Sequence, residues 1–100
     1  MWRDFIAANF AQPITLDAIA HVAALSPNHL LRSFKALFHT TPHQYLTEQR
    51  LIHASHLLRT TELSITTICL AVGFQSIGSF SALFRRRFGL SPVQFRQQNR

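Results

Sequence analysis

The chain repeats one pattern at an interval of about fifty residues. Ile19 matches Ile68 at a distance of 49. Phe34 matches Phe84, Phe38 matches Phe88, Thr41-Pro42 matches Ser91-Pro92 and Tyr45 matches Phe95, each at 50. The second copy therefore holds one extra residue between its two apolar segments. Repeated units of this size belong either to stacked arrays or to duplicated modules. Arrays place their copies directly against each other, whereas here a predicted helix of about seventeen residues separates them.

The punctuation says what each copy is. Ser26-Pro27, Thr41-Pro42 and Ser91-Pro92 put a hydroxyl at N-cap and proline at N1, a helix start signal. Thr15 and Ser64 are two further N-caps, each following an apolar residue (Ile14, Leu63) placed to staple the start of a helix. These caps predict an all-α domain of about seven helices, over 2–9, 16–24, 27–38, 43–59, 65–72, 78–88 and 92–98. Within them, Leu30, Phe34, Leu37 and Phe38 share one face, as do Leu51, Ala54 and Leu58. Residues 16–38 and 65–88 each read as short helix, tight turn, second helix: two helix-turn-helix subdomains joined by the long helix over 43–59.

Composition narrows the function. Of 100 residues, 47% are apolar, enough for a compact core. Only 14% are charged, but ten Lys+Arg face four Asp+Glu, a net +6 that suits a polyanionic partner. One cysteine, Cys69, allows no internal disulfide and sits in an apolar stretch as a small core residue. The chain has no apolar run of spanning length, and its first residues do not form a signal peptide, so it reads as cytoplasmic. Asp4, Asp17, Glu48 and Glu62 do not fall into an acid/base pair, so no enzymatic role is expected. His53 and His56 stand three apart on the long helix without further ligands at metal spacing, so no metal or cofactor is expected. The stretch from Gly73 to Ser79 lacks the lysine of a phosphate-binding loop.

Geometry and charge together favour double-stranded DNA. A seventeen-residue helix is roughly 25 Å long. With two small modules at its ends, that length suits adjacent major-groove faces, about 34 Å apart. Opposite its core face the helix over 27–38 carries Asn28, Leu31, Arg32 and Lys35. Arg32 has the donors for guanine, Asn28 suits adenine, and an outward Leu31 suits a thymine methyl. The repeat maps these four to Gly78, Ser81, Ala82 and Arg85, with Ile77 and Ser79 near the helix start. The second module therefore has few base-reading side chains and a cluster of cations, Arg85, Arg86 and Arg87. Ser26, Lys35, Ser76 and Arg85–Arg87 are the expected phosphate contacts. The expected division is direct readout by the first module, with anchoring and shape fitting by the second. The alternative is a basic helical module that binds a protein or an anionic membrane surface. Against the membrane, the apolar face of the helix ending in Arg85–Arg87 is already needed by the core.

The spacing of these residues resembles the DNA-binding domain of AraC/XylS-type bacterial transcription regulators. The resemblance runs from about Trp2 to Arg96. It is carried by Leu16-x-x-Ile19-Ala20, Leu25-Ser26-x-x-x-Leu30-x-x-x-Phe34-Lys35, Thr41-Pro42-x-x-Tyr45-Leu46 and Arg50-Leu51-x-x-Ala54-x-x-Leu57-Leu58. Its most specific part is Ile65-x-x-Ile68, Gly73-Phe74 and Phe80-Ser81-x-x-Phe84-Arg85-x-x-Phe88-Gly89-x-Ser91-Pro92-x-x-Phe95-Arg96. It implies promoter binding, mostly for activation, with base contacts at Asn28, Leu31 and Arg32 and at Ile77, Gly78, Ser79 and Ala82. It also implies contact with RNA polymerase and a separate N-terminal effector-binding domain, so the chain reads as part of a longer regulator. The chain departs from the family at Ala82, where arginine is frequent, at Ser79, where a larger residue is usual, and at His39, where glycine is common.

Overall fold

A computed structural model describes residues 8–11 and 16–99 of the chain. Six helices are present among the described residues, and no strand: α1 (Leu16–Ala23), α2 (Pro27–Phe38), α3 (Pro42–Thr60), α4 (Ile65–Ala71), α5 (Ile77–Phe88) and α6 (Pro92–Gln98). Most of the helix expected over 2–9 lies outside the described residues, as does the Thr15 cap; Ala8 and Asn9 are helical. The helices over 27–38 and 92–98 match the sequence expectation at both ends, and the other helix ends depart from it by at most one residue, as fraying ends do.

The repeat survives at atomic detail. Ser26 and Ser76 take extended backbone angles, and their hydroxyls accept from the N–H groups of His29 (3.2 Å) and Ser79 (3.3 Å). α2 and α5 then run for twelve residues each. They stop on left-handed residues, His39 (φ 59°) and Gly89 (φ 80°), whose N–H groups donate to the carbonyls of Lys35 and Arg85. The next helices open on matching capping boxes. Thr41 Oγ1 accepts from Gln44 N–H while Gln44 Oε1 accepts from Thr41 N–H, and Ser91 and Gln94 do the same. Ser64 caps α4 through Thr67 N–H at 3.0 Å, and Leu63 beside it is 41% exposed.

The turns locate the extra residue. α1 closes with Leu25 N–H donating to Ala20 C=O and Ala24 N–H donating to His21 C=O. Phe74 to Cys69 and Gly73 to Leu70 reproduce both bonds 49 residues on. This is a Schellman closure, and it needs a left-handed residue: Ala24 (φ 58°) in the first copy, Gly73 (φ 106°) in the second. Gln75, between Phe74 and the cap Ser76, is the insertion. A left-handed alanine costs about 1–2 kcal/mol that glycine escapes, partly offset by glycine's greater unfolded-state entropy. Ala24→Gly is therefore expected to stabilise the fold by roughly 0.5–1 kcal/mol, read as a higher midpoint in urea unfolding.

The chain divides into two compact units, Met1–Gln49 and Arg50–Arg100, so α3 gives its first half to one and its second half to the other. In the first unit Leu30 and Phe34 are fully enclosed with Ile19, Ala20 and Leu46, and Phe38 and Tyr45 pack against them. In the second, Leu51, Ala54, Leu58, Ile68, Cys69, Val72, Phe80 and Phe84 are buried. The aromatic clusters correspond. Phe34 lies 4.8 Å from Phe38 and meets Tyr45 edge-on at 5.8 Å; Phe84 lies 4.6 Å from Phe88 and meets Phe95 edge-on at 5.3 Å. Burial pushes the Cys69 thiol pKa up, which keeps the sulfur protonated and inert.

Leu37 corrects the sequence reading. It shares the stripe of Leu30 and Phe34, yet it is 65% exposed. The core closes through Phe38 and Tyr45, and Leu37 stands past the end of that packing. Its repeat partner is Arg87, also exposed, so the position faces outward in both copies.

The second unit is tied by two arginines. The Arg50 guanidinium carbon lies 5.8 Å from the centre of the Phe74 ring, linking α3 to the turn before α5, and burial lowers its pKa from the usual arginine value. Arg96 of α6 reaches three backbone carbonyls at and beyond the end of α3. Its Nε donates to Leu58 (3.2 Å), and its Nη2 donates to Thr61 (3.4 Å) and Leu63 (2.6 Å).

Candidate nucleic-acid interface

Residues 28–45 and 78–95 follow the same order of buried, half-buried and exposed positions throughout. Two unlike sequences thus present one surface geometry. In each copy the open face of the second helix is set by residues pointing away from the buried pair, Leu30 and Phe34 or Phe80 and Phe84. At about 100° per residue, Arg32 lies nearly opposite that pair, with Asn28 and Lys35 on one flank and His29 and Ala36 on the other. The same positions of α5 hold Ala82 at the centre, Gly78 and Arg85 on one flank, and Ser79 and Arg86 on the other. All ten residues are exposed.

The structure therefore brings Asn28, Arg32 and Lys35 together on α2, and Gly78, Ser79, Ala82, Arg85 and Arg86 on α5. Three expected residues stand apart. Leu31 is half-buried on the shoulder of α2, like its counterpart Ser81, and is not the outward side chain expected. Ile77 is 46% exposed at the first position of α5, off the centre of the face. Arg87 points away from Arg85 and Arg86, its guanidinium carbon 4.8 Å from the Phe88 ring centre. Ser26 and Ser76 are exposed, with their oxygens accepting the capping bonds and their hydroxyl protons still able to donate.

The two faces differ in chemistry. That of α2 carries amide, imidazole, guanidinium and ammonium groups. That of α5 is bare at its centre and cationic one turn on. Glycine at position 78 is not required by packing, since a Cβ there would meet only Ser76 Oγ at 3.8 Å. The charge is partitioned in the same sense. Residues 1–49 hold three Lys+Arg and three Asp+Glu; residues 50–100 hold seven and one. The whole formal excess of +6 belongs to the second half.

His29, which the sequence reading does not include, is the repeat partner of Ser79 at an interval of 50 and is exposed on the same face of α2. His29, Arg32, Ser33 and Ala36 line a shallow open depression of about 370 Å³ on α2. Among the described residues no three of His, Cys, Asp and Glu converge as metal ligands, and no helix is long and apolar enough to cross a membrane.

Known proteins share this architecture. A helix-turn-helix domain family matches residues 19–98. The transcriptional activator RhaS of Escherichia fergusonii is 44% identical over 89 residues, which are 89% of this chain and 32% of that protein. The chain thus spans about a third of the length of the curated relatives it matches. An AraC-type transcriptional regulator of Chromobacterium violaceum superposes with a TM-score of 0.91 at 37% identity, covering 98% of this chain and 88% of that one. The DNA-binding domain of AdpA, solved in complex with a target DNA, superposes at 0.92 with 27% identity, covering 97% and 87%. With two copies of one capped, wedge-shaped helix pair and these relatives over nearly its full length, the chain belongs to the AraC-type helix-turn-helix DNA-binding domains.

Proposed function

We propose that this chain is the promoter-binding part of a transcription activator and works by binding alone, without catalysis, in the cytoplasm. α2 and α5 each enter a major groove of the same duplex, in adjacent turns, with α3 as the link between the two subdomains over 16–38 and 65–88. Asn28 and Arg32 read base edges, and Lys35, Arg85, Arg86 and the serine hydroxyls at 26 and 76 hold phosphates. Ile77, Gly78, Ser79 and Ala82 let α5 lie close against the groove floor and select by shape. The observation that carries this reading is the pairing of identical surface geometry with opposite chemistry, polar on α2 and bare with flanking cations on α5. The remaining two thirds of a relative's length leaves room for an effector-binding domain, and RNA polymerase is the natural partner of an activator bound at a promoter.

Random-site selection with the chain tests it. The expected product is one contiguous asymmetric site of about two helical turns. Binding to that site is expected to fall with salt at a log–log slope of roughly −5 to −6, as five to seven phosphates are neutralised. A flat salt response overturns DNA as the ligand.

A further inference from the structure

We propose that His29 is a base-reading residue of the first unit, its imidazole donating to a purine N7 or guanine O6 beside the base pair read by Arg32. The inference rests on the DNA-binding reading above and adds a residue to it. His29 is exposed in the first turn of α2, one turn before Arg32 on the same open face. Its backbone is fixed, because its N–H is held by the Ser26 hydroxyl at 3.2 Å. The neighbours that complete the depression, Ser33 and Ala36, are small and leave the imidazole and the Arg32 guanidinium as the groups that project from it. Leu31 and Ser33 are the half-buried shoulders on either side, so the open face between them is centred on Arg32 and takes in His29. Residues 1–49 also bring no net formal charge. With Lys35 and Ser26 placed for phosphate, directed contacts to base edges are what this half can add, and an imidazole N–H aimed at a purine acceptor supplies one.

The chain carrying His29→Ala, and separately His29→Gln, is put through random-site selection beside the wild type and Arg32→Ala. With His29→Ala, base preference is expected to vanish at one pair next to those lost with Arg32→Ala. Affinity for the selected site is expected to fall about ten- to a hundredfold, with random duplex bound as before. His29→Gln keeps an N–H donor of similar reach and is expected to retain a purine preference there. An unchanged profile overturns the inference, and so does an equal loss on every sequence, which marks a phosphate contact. A wild-type chain that selects no site overturns the underlying reading and this inference with it. Unaltered thermal unfolding of the two variants shows that the effect is on binding.

Discussion

Arg96→Ala is expected to remove about 2–4 kcal/mol of stability from the second unit, lowering its unfolding midpoint by roughly 10–20 °C. The last carbonyls of a helix have no partner within it, and α3 ends at Thr60. The Arg96 fork takes Leu58 from that set, together with Thr61 and Leu63 just beyond it. Bonds from a charged donor are stronger than neutral ones, and a cation at a helix C-terminus also meets the dipole favourably. Three carbonyls from separate positions are thus held by one planar group. Arg96→Lys is expected to recover less than half of the loss, because an ammonium lacks the flat fork that spans them. Urea unfolding of the three proteins decides the matter. A change below about 0.5 kcal/mol for Arg96→Ala means that water replaces the fork without cost.

The second large effect is on binding. Replacing Arg85 and Arg86 together by alanine is expected to weaken DNA binding about ten- to a hundredfold at moderate salt, equally for the selected site and for random duplex. The log–log salt slope should flatten by about 2, one phosphate for each arginine. Both side chains are exposed, so the fold is not at risk. Arg32→Ala is expected to behave oppositely, costing about 1–3 kcal/mol on the selected site and little on random duplex. Titrations of both DNAs at several salt concentrations separate the two patterns. If selectivity is lost with the arginine pair and kept without Arg32, the assigned roles are reversed.

Much of this was legible in the sequence. The Ser-Pro and Thr-Pro pairs placed helix starts within a residue, because caps and proline act on local backbone and need no tertiary information. The fifty-residue interval then assigned Phe84, Phe88 and Phe95 the packing of Phe34, Phe38 and Tyr45, since equal spacing on equal helices builds equal contacts. Leu37 escaped because periodicity gives a direction around a helix but not where the packing partner ends. Leu31 reads as outward when only its polar neighbours Asn28, Arg32 and Lys35 are weighed; it stands about 80° from the centre of the Leu30 and Phe34 pair, on the shoulder where a side chain is half covered. The left-handed Ala24 was hidden because the usual sign of that conformation is a glycine, present only in the second copy at Gly73. Arg96 was visible as a motif member but not as a clamp, since its partners lie 33 to 38 residues away and are backbone atoms common to any sequence.

The unequal sharing of charge between the halves has a consequence for timing. Long-range attraction to a polyanion scales with net charge, so encounter is governed by residues 50–100 and slows as salt rises. On the proposed reading the electroneutral half adds little to that approach; its contacts, Lys35 and Ser26 to phosphate and Asn28 and Arg32 to base edges, act at close range and set how long the complex lasts. Arrival and residence then rest mainly on different halves of one domain, and either can drift in evolution while the other holds.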